Sequence, residues 1–344
     1  MKQITIVGGG LAGLTLGIGL RRQSIPVTIW EAGHYPRHRV CGEFISGRGQ
    51  TVLQELGLRE QLLEAGAVRA ETAVFFFGNV QGPVRPLPEA ALCLSRFDLD
   101  ALLAREFTSL GGELRSGERW RGDKADEGVV QAGGRRVQAT EGNWRWFGLK
   151  VHARNVASIG DLEMYGSANG YVGITGIGDD QSNVCGLFRR PASEHGALPP
   201  RAELLRGAPG TPLRARLESA EFDEGSFCAV AGLSLRPQRA ERQQECCIGD
   251  ALTMIPPVTG NGMSMAFESA RIAIEPMAAY SRGETTWARA QQSVARECDR
   301  HFAKRLRWAT WLQAMMFAPV LRHGLANPVL GSQSIWRVMF AKTR

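Results

Sequence analysis

Two spacings of apolar residues alternate along this chain. Ile4–Val7 is a short apolar run that stops at Gly8, and Leu11, Leu14, Leu16 and Leu20 then recur at helical spacing with Gly13 and Gly17 between them. Pro26-Val27-Thr28-Ile29-Trp30 reads as a second strand that ends at Glu31. Beyond it the pattern predicts a helical stretch over Gln50–Ala65, an apolar strand at Thr72–Phe77, and a helix over Phe97–Ser109 with Asp100 in its first turn. Glu127–Ala139 reads as a hairpin of two short strands around Gly133-Gly134. Phe147–Arg154, Leu162–Tyr165, Tyr171–Gly176 and Asn183–Phe188 are strand-like, with Gly, Asn and Asp turns between them. Together they predict an antiparallel sheet of ~4–6 strands that floors a pocket. Pro191–Pro212 is a polar connection, a long helix is predicted from Ser264 to Tyr280, and 286–344 reads as helical with breaks at Pro319 and Pro328.

The first forty residues hold Gly8-x-Gly10-x-x-Gly13 between a strand and a helix, with an acid at the end of the next strand. Gly8 allows the tight turn, Gly10 lets the backbone approach a pyrophosphate, and Gly13 lets the helix pack on the strands. The helix N-terminus, at Leu11 and Ala12, offers free N–H groups and a positive dipole end to phosphates. Glu31, followed by Ala32, is placed to accept from a ribose hydroxyl. The plain alternative is a glycine-rich turn that binds nothing, and residues 1–31 alone leave FAD and NAD both open.

A second landmark is Ile248-Gly249-Asp250-Ala251, followed by Pro256-Pro257 and Gly260-Asn261-Gly262-Met263 at the head of the long helix. A carboxylate at a strand's C-terminal edge, Asp250, can hold hydroxyls of a ribityl chain. The helix N-terminus can stabilise negative charge on the pyrimidine edge of a reduced flavin. The alternative is an Asp-capped loop before an amphipathic helix. With these residues the chain resembles the p-hydroxybenzoate-hydroxylase-type FAD enzymes. Arg37-His38-Arg39-Val40-Cys41-Gly42-Glu43, Leu94-Ser95-Arg96-Phe97-Asp98-Leu99-Asp100, Trp146-Phe147-Gly148-Leu149-Lys150 and Gly170-Tyr171-Val172-Gly173 are similar to segments of the geranylgeranyl-reductase-like branch, which also holds natural-product hydroxylases and flavin halogenases. The resemblance covers about residues 1–285 in pieces. It implies that Cys41 and Gly42 lie near the isoalloxazine ring and Arg96 near the flavin; Arg39 and Val40, in the same segment as Cys41, are further candidates for cofactor binding. It also implies an α/β FAD-binding domain, a Rossmann-like βαβ unit in a mixed sheet, interleaved with an α+β antiparallel-sheet substrate domain and followed by C-terminal helices. The expected division is 1–70, 96–142 and 236–285 for FAD, 71–95 and 143–235 for substrate, and 286–344 for the helices. The chain departs from the family where an Asp-Gly motif is usual. Its nearest match is Glu141-Gly142, and Trp144 follows at once. The third sheet strand and its crossover are therefore expected to have lost residues.

Composition narrows the reading. At 44% hydrophobic and 22% charged, the chain is ordinary for a globular protein. Seven cysteines, an odd number with no Cys-x-x-Cys pair, argue against a disulfide framework and for a reducing, cytoplasmic setting. The six histidines show no metal-ligand spacing, so no metal is expected. The net charge is +7, and residues 296–344 hold nine Lys/Arg against two Asp/Glu, so the rest of the chain is neutral overall. Nucleic acid is not an expected partner. Within that basic tail, Arg300, Lys304 and Arg307 share a helix face, with Trp308, Trp311 and Met315 on a neighbouring stripe. The uncharged run Trp308–Leu321 has 14 residues, short of the ~20 a membrane span needs. The tail reads either as a cap over the substrate domain or as a peripheral contact with anionic membrane or a carrier protein.

Two residues are candidates for chemistry. Cys41 is either a thiol that touches substrate or flavin, or a small packed side chain. Lys150 and His152 alternate on one strand and share a face. If that face is the pocket, His152 can exchange a proton with substrate. If not, it faces solvent. Trp144-Arg145-Trp146-Phe147 resembles the Trp-x-Trp of flavin halogenases without the following Ile-Pro, and no Lys lies between Lys2 and Lys124, so halogenation is not expected. The expected activity is that of a monooxygenase. FAD reduced by NADPH or NADH would react with O2 to hydroxylate an aromatic, polyketide or other apolar natural product. The alternatives are an FAD-dependent C=C reductase and a degenerate flavin fold that binds without turnover.

Overall fold

Ile4–Val7 is the central strand of a five-stranded sheet. Val27–Glu31 and Glu113–Ser116 lie on one side of it, Val129–Gln131 and Cys246–Cys247 on the other, and every pairing is parallel. These strands form one core with the helices Leu11–Arg22, Arg96–Ser109 and Gly262–Arg282. The computed structural model describes residues 1–135, 137–138, 140–195, 199–318 and 330–343. The expected helix breaks at Pro319 and Pro328, and Ala139 at the end of the expected hairpin, lie outside those residues.

Val129–Gln131 corrects one expectation. It is a buried strand with parallel neighbours on both edges, not one arm of a hairpin, and Gly133-Gly134 is the turn that leaves its carboxyl end. A run of only three residues buried on both faces carries no alternation to distinguish it from a hairpin arm.

The second sheet runs in the order Glu221–Ala231, Trp144–Arg154, Gln181–Pro191, Gly170–Gly178, Leu162–Gly166, Val68–Phe77, Arg85–Cys93, Phe44–Ile45, with Val80–Gln81 beside Val68–Phe77. Leu162–Gly166 pairs parallel to Val68–Phe77, and the other pairings are antiparallel. The mixed sheet is thus this one rather than the nucleotide-type sheet, and it is larger than the expected four to six strands. Phe44–Ile45 and the start of Val68–Phe77, placed with the cofactor segment by sequence, belong to it. One of its faces buries Leu149, Val151, Val172, Ile174 and Val184 against Leu205 and Leu213 of two short helices. The opposite face looks toward the parallel sheet and forms the site.

The stretch expected as one helix over Gln50–Ala65 is two, Arg48–Glu55 and Arg59–Glu64, separated at Gly57, whose φ is +53°. The chain ends in Trp287–Met316 and Gln333–Thr343. The first is tied to Gly262–Arg282 by a buried bidentate pair, Arg305 to Glu268 at 2.6 and 3.0 Å. Among the described residues no helix is long and apolar enough to cross a membrane.

Candidate functional site

A cavity of about 620 Å³ opens between the carboxyl ends of the parallel strands and the second sheet. This is where parallel α/β sheets bind ligands, because the strand-to-helix turns expose unpaired backbone N–H groups there. Gly10, Leu11, Ala12 and Glu31 line one end. Arg39, Val40, Cys41, Gly42, Arg96 and Asp250 line the middle, with Pro257, Gly260, Gly262 and Met263 opposite. The far end is apolar, with Phe75, Met164, Leu187, Leu233, Met315 and Trp336 among its walls.

The three glycines of the first turn do different work. A Cβ on Gly13 would sit 2.0 Å from the Gly8 carbonyl oxygen, so Gly13 is required by helix-on-strand packing. Gly8 holds φ at +112°, and a Cβ there would lie 2.4 Å from the Ala132 carbonyl oxygen. A Cβ on Gly10 would meet nothing within 4 Å. The same is true at Gly42 and Gly262, which gives the cavity wall three bare backbone stretches open to a ligand. Gly8, Gly13, Ala32, Asn261 and His152 are not part of the wall. Ala32 is exposed. Asn261 is buried, accepting from Ser46 Oγ at 3.0 Å and donating to the Thr259 carbonyl at 3.1 Å, so it holds the turn before the helix.

Glu31 accepts N–H bonds from Gly9 and Gly33, both at 2.9 Å, and pairs with Arg37 at 2.7 Å. Burial works against its charge, but the bonds from Arg37 and Gly33 and the charges of Arg37 and Arg39 hold its carboxyl below the usual value. Oε1 is engaged by both Gly33 and Arg37, and Oε2, which takes the Gly9 N–H, keeps a lone pair for a ligand hydroxyl. Arg39 Nε makes no hydrogen bond among the described residues, although Asp100 is 3.6 Å away. Arg96 makes a bidentate pair with the buried Asp100 at 2.7 and 2.9 Å. Burial disfavours its charge, and Asp100 more than offsets this, so the guanidinium stays cationic at the cavity wall. Enclosure by the walls pushes the Asp250 carboxyl up, with Arg96 and Arg135 pulling it down. Burial pushes the Cys41 thiol up against the pull of Arg96, so it is a thiol rather than a thiolate at neutral pH.

Lys150 and His152 share a face as their spacing predicts, and it is the face of the second sheet turned toward the cavity, as is that of Cys185 opposite Lys150, but neither side chain lines the cavity. Lys150 is 0% and His152 3% exposed. Both reach the buried Glu43, whose carboxylate lies 3.4 Å from Lys150 Nζ and 2.7 Å from His152 Nε2 and accepts from the Arg96 N–H at 2.8 Å. His38 Nδ1 is 3.2 Å from Lys150 Nζ, and its ring stacks on Phe97. Burial and the charges of Lys150 and His152 push the His38 pKa down, against Glu43 and Asp223. Glu43 has φ +54°, a left-handed conformation held by this pairing next to Cys41-Gly42. His152 therefore acts on the cavity through Glu43 and the loop, not by touching its contents.

Sequence reasoning missed Ala132, Gly133, Gly134 and Arg135, which line the cavity at the carboxyl end of Val129–Gln131. The signal was the Gly-Gly pair after an apolar run, taken for a hairpin turn. Glu141, the residue nearest the family's Asp-Gly motif, instead accepts from Ser234 Oγ and from the N–H groups of Leu235 and Arg236. No lysine lines the cavity among the described residues, and none of their His, Cys, Asp and Glu form a group able to hold a metal ion.

Comparison with known proteins agrees with this geometry. The rifampicin monooxygenase of Streptomyces venezuelae is 31% identical over 133 residues, 38% of this chain and 28% of that enzyme. The chain thus spans little more than a quarter of that curated relative. Over the whole chain the fold is that of the flavin-dependent brominase Bmp2, with a TM-score of 0.74, 18% identity and coverage of 100% of this chain and 95% of that one. The myxobacterial chondrochloren halogenase CndH is similar in fold at a TM-score of 0.73 and 18% identity, covering 99% and 90%. Residues 1–154, which hold the Gly8–Gly13 turn and the Cys41–Glu43 loop, match the family model described as FAD binding domain.

Proposed function

We propose that the chain is an FAD-dependent monooxygenase that hydroxylates an apolar aromatic or polyketide-like small molecule, with NADPH or NADH as reductant and O2 as co-substrate. The observation that carries this is one continuous cavity, bare backbone at the nucleotide end and apolar at the other. Bound FAD supplies the redox chemistry, and the protein's part is to bind, orient and exclude water. The N–H groups at Gly10–Ala12 hold the pyrophosphate, Glu31 accepts from a ribose hydroxyl, and Asp250 accepts from the ribityl chain. The N-terminus of Gly262–Arg282 opens on the cavity at Gly262 and Met263 and would favour negative charge on the pyrimidine edge of a flavin held there. Cys41 and Gly42 shape the wall between flavin and substrate, held by Glu43. The far walls, led by Phe75, Met164, Leu187 and Trp336, take an apolar skeleton and keep water away from it.

Hydroxylation is preferred to halogenation because no lysine faces the cavity among the described residues. A C=C reductase is the second reading. Cys41, a thiol in the cavity wall, is the residue placed to assist it. The test is to purify the chain, record the flavin spectrum, and follow NADPH consumption with and without O2. Oxygen-dependent consumption supports the hydroxylase, and anaerobic turnover of an alkene supports the reductase. A colourless protein that takes up no FAD overturns both and leaves a binding protein.

A further inference from the structure

The helix Trp287–Met316 has two working faces. Its inner face gives Leu312, Met315 and Met316 to the cavity, at the apolar end. On its outer face Arg300, Lys304, Arg307 and Trp311 follow one another at intervals of four, three and four, which is a single stripe on an α-helix. All four are exposed, Trp311 by 52%. Sequence spacing set Trp311 on a neighbouring stripe with Trp308. The structure instead leaves Trp311 outermost, with Trp308 half-buried against it at 5.5 Å between ring centroids. Arg300 pairs with Glu297 at 2.7 Å, and Asp299 is engaged with the Ala240 and Glu241 N–H groups. The acids thus lie at the start of the stripe, and cation and indole dominate the rest. The last helix, Gln333–Thr343, repeats the arrangement. Trp336, Met339 and Phe340 line the cavity, and Ile335, Arg337 and Val338 are exposed, Val338 by 48%.

We propose that this outer surface docks on the headgroup region of an anionic lipid bilayer, so that the cavity behind these two helices draws its substrate from the membrane. Charge complementarity selects the occupant. By sequence, residues 296–344 hold as much net positive charge as the whole +7 chain, and on the described surface Arg300, Lys304 and Arg307 share a stripe with an exposed indole, Trp311. An indole at the interface adds apolar contact, and Lys and Arg add attraction to anionic headgroups. The substrate this implies is an apolar, membrane-partitioned molecule. That last step rests on the function proposed above, whereas the docking does not.

The experiment uses the full chain as purified, its flavin content recorded by absorbance, and sediments it with vesicles of phosphatidylglycerol and phosphatidylcholine against phosphatidylcholine alone. Binding is expected only with the anionic lipid and is reversed by salt. Replacing Arg300, Lys304 and Arg307 together by Gln should lower partitioning about a hundredfold. Trp311→Ala should lower it severalfold and leave its salt dependence in place. All four positions are exposed, and an unchanged melting temperature shows that the variants are folded. Equal binding to neutral vesicles, no binding at low salt, or an unaffected triple variant overturns the proposal. So does capture by an immobilised acyl carrier protein with no vesicle binding. A colourless chain that still binds anionic vesicles overturns the redox reading and leaves the docking intact.

Discussion

Glu43 Oε2 lies 2.7 Å from His152 Nε2, across 109 residues of chain. With Lys150 on the other carboxylate oxygen, the contact pins the Cys41–Gly42–Glu43 loop to the floor of the second sheet. The loop, Glu43 included, is a cavity wall, so the geometry of that wall depends on His152 and Lys150, which do not themselves line the cavity.

Breaking this cluster should be costly. Glu43→Gln leaves the buried Lys150 cation without its counter-charge, and the expected loss is about 3–5 kcal/mol. Lys150→Met should be milder, because His152 and the Arg96 N–H remain on the carboxylate. The double variant should cost less than the sum of the two. Denaturant midpoints of all four proteins give this cycle, and additive losses would show that the pair is not coupled.

Gly10 and Gly13 should separate binding from folding. Gly10→Val places its side chain in open cavity, so the protein should melt as before and bind FAD poorly. Gly13→Val drives a side chain into the Gly8 carbonyl and should lower the melting temperature of the flavin-free protein. Asp250→Ala removes an acceptor for flavin hydroxyls, worth ~1.5–3 kcal/mol, or roughly ten- to a hundredfold in affinity. FAD titration beside thermal melts reads both effects. Full flavin affinity in Gly10→Val and Asp250→Ala would place the cofactor elsewhere.

Glu31 predicts a pH dependence. Its carboxyl is held below its ordinary value of 4.5 in the folded protein. The folded state thus binds fewer protons than the unfolded one around that value, so stability falls as pH falls. The stabilisation is complete above the ordinary value and is lost as pH drops through the lower folded one. Glu31→Gln should therefore be less stable than the parent at neutral pH, and the difference should close in acid. Melting temperatures of the two proteins from pH 7 downward test it, and a constant gap would contradict it.

Cys41→Ser discriminates the two reactions. A hydroxylase needs no thiol at the wall and should keep most of its rate, whereas a reductase that takes a proton from Cys41 should lose turnover or change its products. Rate and product profile at matched flavin content decide. Loss of hydroxylation with flavin retained would reverse the preference stated above.

What the chain reveals without its structure is what local spacing encodes. Gly8, Gly10 and Gly13 announce a strand–turn–helix because each turn needs particular residues at fixed offsets, and the alternation through Lys150 and His152 sets them on one face because a strand has period two. Neither needs a distant partner. Which surface that face meets is a long-range matter. Glu43 reaches His152 only because the Cys41–Glu43 loop crosses onto the second sheet, so the burial of Lys150 has no local signature. Val129–Gln131 is likewise too short to reveal its neighbours, and pairing with Ile4–Val7 and Cys246–Cys247 made it a parallel strand with Gly133 and Gly134 at the cavity. Helical spacing set Arg300, Lys304 and Arg307 on one face, and packing of Leu312 and Met315 toward the cavity turned that face, with Trp311 at its end, to the outside.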